Sequence, residues 1–406
     1  MRLIKVLSTG LLLLLLIVSG GISQETEAKG STDWENGIIH FRSADGQFMT
    51  RFDVRMYING AYFFENKNHL SNGTHLRKGR FAMKTKLWKV WRAEWDIDVA
   101  EGAVEVKDMY FSYVGFHNSH LKVGHFKAPV GLNELTSSRF LTFAERAYPM
   151  LAFKIGRRTG IEYSKWGNNW NFRGDLFGQT MDTRKNKTVD ETGGGVAARF
   201  AYAPFFSNKY RVHLGLSGAW INPDDNNNVV SYNSEPETKI GDVEILDTGN
   251  IFDVDYTTML GLEGALKYKN ISFQSEYIYT GLKRMNGARN AVFGGGYAFV
   301  SYILTGEERP WDETQGEFGQ VIPKDNHRGA WELAARYSYL NLSDTRAGIL
   351  GGRANNYTLG LNWYANPNLK IILDYTIVQN SQNATGDGFI GGDHFSVLHT
   401  MAVVFF

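Results

Sequence analysis

From residue 47 to Phe406 the chain repeatedly places apolar side chains at every second position, and it ends on an aromatic residue of that pattern. Even positions from Phe48 to Phe64 read Phe48, Thr50, Phe52, Val54, Met56, Ile58, Gly60, Tyr62 and Phe64, while Gln47, Arg51, Asp53, Arg55 and Asn59 stand between them. Trp91, Ala93, Trp95, Ile97 and Val99 oppose Arg92, Glu94, Asp96 and Asp98 in the same way. A period of two is the strand period, with one face apolar and the other polar. Charged residues at mid-strand suit a wet interior better than the core of a sandwich. The pattern predicts an all-β fold, a 16-stranded antiparallel transmembrane β-barrel. The strands run from 47–65 and 74–87 through 368–379 to 394–406, and Phe406 closes the last.

The N-terminus sets the compartment. Residues 1–23 read as a signal peptide: Arg2 and Lys5, an apolar run to Val18, then small residues to Ser23. That run is shorter than the ~20 residues a membrane-spanning helix needs, and no later stretch reaches that length. Residues 24–46 read as a periplasmic N-terminal segment and 47–406 as the barrel, giving a bacterial outer-membrane localisation. There is no cysteine, which excludes disulfides and thiolate metal sites. Removing Arg2 and Lys5 takes the formal charge from +1 to −1, so bulk charge says nothing about partners. The content of 26 Phe, 20 Tyr, 10 Trp and 44 Gly agrees with strands that bury one face in lipid.

Connections sort by side. Turns near Trp88–Lys89, His117, Gly167–Asn168, Phe206–Ser207, Lys269–Asn270 and Asn366–Pro367 are short, whereas 129–156, 181–193, 222–255 and 380–393 are long. Segment 305–328 is long yet falls on the short-turn side; its Trp311 and Phe318 fit either a second constriction inside the lumen or a periplasmic plug. The loop from Pro129 carries Leu132, Leu135, Phe140, Leu141 and Phe143, too apolar to stay in solvent, so it is expected to fold onto the inner wall. Arg139, Arg146, Lys154, Arg157 and Arg158 outnumber Glu134 and Glu145 there, which favours anions unless the arginines are spent on carboxylates. Lys78, Arg80, Lys84 and Lys86 share an inward face as a pore-lining basic ladder. Glu94, Asp96 and Asp98 on the next strand would cancel part of its field. Loop 222–255 holds nine acidic residues and one lysine, read as a solvated face at the outer mouth.

Several runs resemble the phosphate-selective porin O/P family: Val106-Lys-Asp-Met-Tyr, Lys122-Val-Gly-His-Phe-Lys, Glu134-Leu-Thr-Ser-Ser-Arg-Phe with Phe143-Ala-Glu-Arg, Gly156-Arg-Arg-Thr-Gly, and Gly329-Ala-Trp-Glu-Leu-Ala-Ala-Arg-Tyr. The resemblance implies a homotrimeric porin with an inward-folded constriction loop. It also implies an anion site formed by Ser137, Ser138, Arg139, Arg146 and the wall carboxylate Asp108. Glu134 departs from the pattern, standing where the family has a lysine. The expected function is passive diffusion of small anions such as phosphate or polyphosphate across outer-membrane lipid. The alternatives are a general or differently selective porin, or a structural or adhesive surface barrel. No catalytic spacing, metal set, cofactor motif or nucleic-acid surface is expected.

Overall fold

The sixteen expected strands form where the alternation places them. They are β1 (Phe48–Phe64), β2 (Gly73–Leu87), β3 (Trp91–Asp98), β4 (Glu105–Phe116), β5 (Ser119–Lys127), β6 (Arg157–Trp166), β7 (Trp170–Phe177) and β8 (Thr192–Phe206). Then follow β9 (Tyr210–Pro223), β10 (Val254–Tyr268), β11 (Ile271–Arg284), β12 (Ala291–Ile303), β13 (Ala330–Asp344), β14 (Ile349–Asn366), β15 (Leu369–Asn380) and β16 (His394–Phe405). The computed structural model describes residues 30–35, 37–100, 102–181, 192–207, 209–223 and 228–406. The expected signal peptide, and Asp224 and Asp225 of the acidic loop, lie outside them. Each strand is antiparallel to its neighbours, and β16 returns to β1, with Ser396 opposite Phe64 and Phe405 opposite Arg55. The sheet therefore closes into a barrel and leaves no open edge along those residues.

On β1 the exposed side chains are Phe52, Met56, Ile58, Tyr62 and Phe64, whereas Asp53, Arg55, Tyr57 and Asn59 are buried inside. Apolar-out and polar-in is the arrangement that lipid demands of a barrel wall. Aromatic pairs sit near the strand ends, Trp91 against Tyr113 and Trp331 stacked 5.8 Å from Trp363, where amphipathic rings suit the membrane–water boundary. One bulge matters for the lumen. Tyr57 faces Lys78 but Ile58 faces Leu76, so Arg77 is an extra residue and the parity of β2 breaks there.

Residues preceding the barrel also pair. Ser31–Glu35 and Ile38–Arg42 form a hairpin whose second strand joins β1, from Ile39 opposite Phe52 to Arg42 opposite Met49.

Three segments fold inward. Loop 128–156 carries two short helices, α1 (Leu132–Leu135) and α2 (Tyr148–Phe153). The acidic loop is not a solvated face: Glu235 and Glu237 are buried, and Ile240, Ile245, Leu246 and Ile251 pack with Ile278, Phe293, Leu340 and Phe395 in the largest apolar cluster. Segment 304–329 enters the lumen too, since Arg199 donates to the carbonyls of Gln315 and Gly316 and Asn171 to that of Thr314. These insertions cover the inner faces of β8–β16. What stays open is a cavity of about 1300 Å³ walled by β1–β7.

Candidate functional site

The open half of the barrel is strongly basic. Its lining contains 18 Lys and Arg side chains against eight Asp and Glu. Strand register concentrates them: Arg55 lies directly opposite Arg80, Arg51 opposite Lys84, and Lys86 opposite Arg92. Like charges facing each other across a ladder destabilise a sheet, so three such pairs in one wall need another reason to persist. Some carboxylates soften the repulsion. Asp96 is 3.6 Å from Arg55 and 3.7 Å from Arg80, Asp98 is 2.9 Å from Arg80, Asp53 is 3.2 Å from Arg51, and Glu94 is 2.6 Å from Lys84. Lys86 and Arg92 have no carboxylate partner among the described residues. Thus Lys78, Arg80, Lys84 and Lys86 all line the cavity, with Arg80 and Lys84 partly neutralised and Lys86 not. Glu94, Asp96 and Asp108 lie close enough to share a cation, within 4.8 Å of one another, but Lys84, Arg55, Arg80 and Arg157 already balance them.

The constriction loop owes its position to side chains of the wall and of the two other inserted segments, which bind its backbone. Arg309 donates to the carbonyl of Phe140 (2.9 Å), Lys370 to Leu141 (2.6 Å), Asn362 to Thr142 (2.8 Å) and Arg336 to Glu145 (2.9 Å). In the other direction Asp374 accepts from the amide of Ala144 (2.8 Å), Glu276 from Asn133 (2.6 Å) and Glu237 from Tyr148 (2.8 Å). A loop buried in a barrel must satisfy its backbone somewhere, and these are the partners. Gly295 on β12 admits the second helix: a Cβ there would lie 3.2 Å from Pro149 Cγ and 2.6 Å from the carbonyl of Tyr339.

The predicted loop residues reach the cavity, but not all in the predicted role. Ser137, Ser138 and Arg139 line it, and Ser138 Oγ is 3.2 Å from the hydroxyl of Tyr57. Lys78 Nζ sits 4.8 Å above that same tyrosine ring, with no carboxylate partner among the described residues. Arg139 lies between the rings of Phe140 and Phe405 at 5.3 and 5.4 Å, with Asp53 at 3.9 Å. Burial and the nearby Arg55 lower its pKa to about 10, which leaves it charged at neutral pH.

Two assignments change. Arg146 was expected to present its guanidinium to the anion. Instead its Nε donates to the carbonyl of Asn133 (2.9 Å) and one terminal nitrogen to those of Glu134 (2.9 Å) and Thr136 (2.8 Å). It also pairs with the Glu134 carboxylate at 2.9 Å, so its first duty is to fasten the loop. Burial pushes the Glu134 carboxyl up, but Arg146 and Lys127 outweigh that and hold it down at about 2. The departure from the family lysine is therefore electrically neutralised on the spot. Asp108 faces the lumen as expected, yet it is bound to Arg157 at 2.7 Å rather than standing open.

Arg157, one of the basic residues expected at the constriction, lines the cavity, and so do Arg51, Arg55 and Arg92, which the alternation places on polar faces without marking them as site residues. Strand parity contains the signal for Arg51, Arg55 and Arg92. Nothing in the sequence marks the bulge that turns Arg77 inward, where it grips Glu145 at 2.5 Å.

Residues 48–406 match the family model for phosphate-selective porin O and P. Porin O of Pseudomonas aeruginosa is 25% identical over 399 residues, covering 87% of this chain and 90% of that protein. Among solved structures, the anion-selective porin from Comamonas acidovorans superposes with a TM-score of 0.54 at 11% identity, covering 88% of this chain and 100% of that one. OmpT of Vibrio cholerae does so at 0.54 and 10% identity, covering 89% and 98%. These structural likenesses speak for the barrel fold.

Proposed function

The chain belongs to the phosphate-selective porin O and P family, and on that premise we propose that its channel prefers anions, phosphate and polyphosphate above all. It is an outer-membrane porin; the finer selectivity is our reading. The observation that carries it is the surplus of ten basic side chains in the lining, set partly in like-charge pairs that cost the sheet stability. In a narrow low-dielectric passage such a surplus raises the local anion concentration and repels cations.

An anion would meet Lys78, the hydroxyls of Ser137 and Ser138, and Arg139, with the Tyr57 hydroxyl 3.2 Å behind Ser138. Together these can replace part of its hydration shell with charged donors and hydroxyls. Arg146 holds that loop in place, and Asp108 aims Arg157. From there Arg51, Lys84, Lys86 and Arg92 would hand the anion on toward the end of the barrel that carries Phe406 and the hairpin Ser31–Glu35/Ile38–Arg42. Many of these cations have carboxylates nearby, which keeps any one site weak enough to release its solute. The same carboxylates favour the second reading, a porin with only mild or different selectivity. A purely structural or adhesive barrel fits an open charged cavity less well.

The test is the reversal potential of the purified protein in a planar bilayer under a potassium chloride gradient, followed by phosphate block of the chloride current. Anion selectivity with block at low phosphate is expected. Cation selectivity overturns the proposal, and anion selectivity without block reduces it to a general anion porin.

We also propose a homotrimer, supported by wall height. Strands β3 and β7 have eight residues each and β5 nine, against 12 to 18 in β9–β16. A tilted strand needs about 9–11 residues to cross the hydrocarbon core, so the low side suits contact with another subunit. Migration of the unheated protein at three times its monomer mass is the check; a monomer that still conducts removes this part of the proposal.

A further inference from the structure

The hairpin Ser31–Glu35/Ile38–Arg42 has a face that nothing yet described uses. β16 stops at Phe406, whose amide and carbonyl bond Val54, and the hairpin strand takes over the edge of β1 at Phe52. It thereby continues the line of β16. Its tip lies under the β14–β15 turn, where a Cβ on Gly37 would meet the side-chain amide of Asn368 at 3.1 Å. Register decides the faces. Ile39 pairs with Phe52 and Phe41 with Thr50, so Trp34, Ile39 and Phe41 share the outward, lipid-facing side of β1. Trp34 is 68% exposed and Phe41 45%. The other face is polar and internally paired, with Arg42 3.1 Å from Asp33 and His40 3.8 Å from Glu35.

We propose that this hairpin is an interfacial membrane anchor, seating Trp34 and Phe41 among the phospholipid headgroups of the periplasmic leaflet. Its apolar face is continuous with the membrane-facing wall through Phe52. A tryptophan and a phenylalanine below the last turn of the wall stand where aromatic belts form. Ser31–Glu35 has no second strand neighbour among the described residues. An unpaired edge is costly in hydrocarbon but tolerable among headgroups, and that sets the depth. The hairpin runs from β1 toward β16 and β15, away from the short strands β3, β5 and β7, so on the subunit contact proposed above its neighbour is lipid.

The chain has no cysteine, so single-cysteine variants of the full protein can be labelled cleanly. Trp34→Cys and Phe41→Cys would carry an environment-sensitive fluorophore in phosphatidylethanolamine–phosphatidylglycerol vesicles. Leu359→Cys on the outer wall and Asn168→Cys in an exposed turn serve as references. The quenchers are phosphatidylcholine bearing a nitroxide near its headgroup and iodide on both sides of the membrane. Positions 34 and 41 should lose most of their fluorescence to the headgroup quencher and 359, further into the wall, less, while 168 loses its own to iodide. Iodide quenching at 34 equal to that at 168 overturns the proposal by putting the hairpin in water. Protection from both quenchers overturns it as well, because a second copy or the chain's own N-terminal residues would then cover the face.

Discussion

Replacing Arg146 with lysine separates charge from fastening. The guanidinium donates to three carbonyls of its own loop at 2.8–2.9 Å and touches the Glu134 carboxylate at 2.9 Å. Bonds from a charged donor contribute about 1.5–3 kcal/mol each, so the three together hold the loop by something on the order of 5 kcal/mol, allowing for overlap. An ammonium keeps the charge but is a point donor that cannot span carbonyls placed for a planar fork. Arg146→Lys should therefore preserve anion selectivity while the single-channel current becomes noisy, because segment 132–136 loses its clasp.

A pH effect follows. In the wild type, Glu134 sits at about 2 against a usual 4.5. The stability this lends the loop is fully present above pH 4.5 and is lost only as pH falls toward about 2. With the fork-shaped guanidinium replaced by an ammonium that holds Glu134 less closely, its carboxyl should rise from there toward its usual value, and in Arg146→Ala, where Lys127 is left as the nearest cation, further still, so the noise should grow at mildly acidic pH. Planar-bilayer recordings at neutral and acid pH, with heat-modifiable migration to confirm assembly, measure both. A quiet Arg146→Lys channel refutes the fastening argument. So does a quiet Arg146→Ala channel that has simply lost anion preference, which would return Arg146 to the role of anion contact.

Lys86 faces Arg92 without a carboxylate partner among the described residues, so Lys86→Ala should lower anion permeability while raising barrel stability by about 0.2–1 kcal/mol; a chaotrope melt and a reversal potential must move in opposite directions. Glu317, on the inward segment 304–329, is pushed up to about 7 by burial against the pull of Lys127, Arg173 and Arg199. It is neutral below that pH and anionic above it, so anion preference should fall as pH rises through 7, and a Glu317→Gln channel should lose that step. Gly295→Val would press on Pro149 and the Tyr339 carbonyl, driving the second helix into the passage. Smaller conductance from assembled protein is expected, and unchanged conductance would show that the helix can shift elsewhere.

The strands were readable because each lipid-facing position recurs every second residue and little else competes for it. Failures began where contacts are made between segments far apart in the chain. Nine acidic residues in 222–255 drew attention to charge, although Ile240, Ile245, Leu246 and Ile251 decide where the loop goes and Glu237 reaches Arg336 at 2.8 Å once it is there. Arg146 showed its charge but not the three carbonyls turned toward it. Arg77 was hidden by a bulge, which resets parity without a sequence mark. The short hairpin at 31–42 gave too few alternations to be seen as strands.

What separates a working cation from a structural one in this barrel is coverage, and coverage cannot be counted from composition. Arg199, Arg309 and Arg336 point inward as surely as Arg51 or Lys86. Yet Arg199 and Arg336 are buried under inserted segments, Arg309 is buried within one, and each is closed on a carboxylate, Glu263, Glu237 and Glu332 respectively, at 2.6–2.8 Å. Removing one partner of such a buried pair strands the other, so these residues should answer to mutation through stability. Arg51, Lys86 and Arg92 on β1–β3 line the open cavity without such cover, and Arg51 meets its carboxylate, Asp53, at 3.2 Å. Their electrostatic field is left for a solute to use. The three inserted segments thus do two things at once: they narrow the passage and sort the barrel's arginines into those that hold the fold and those that face the permeating ion.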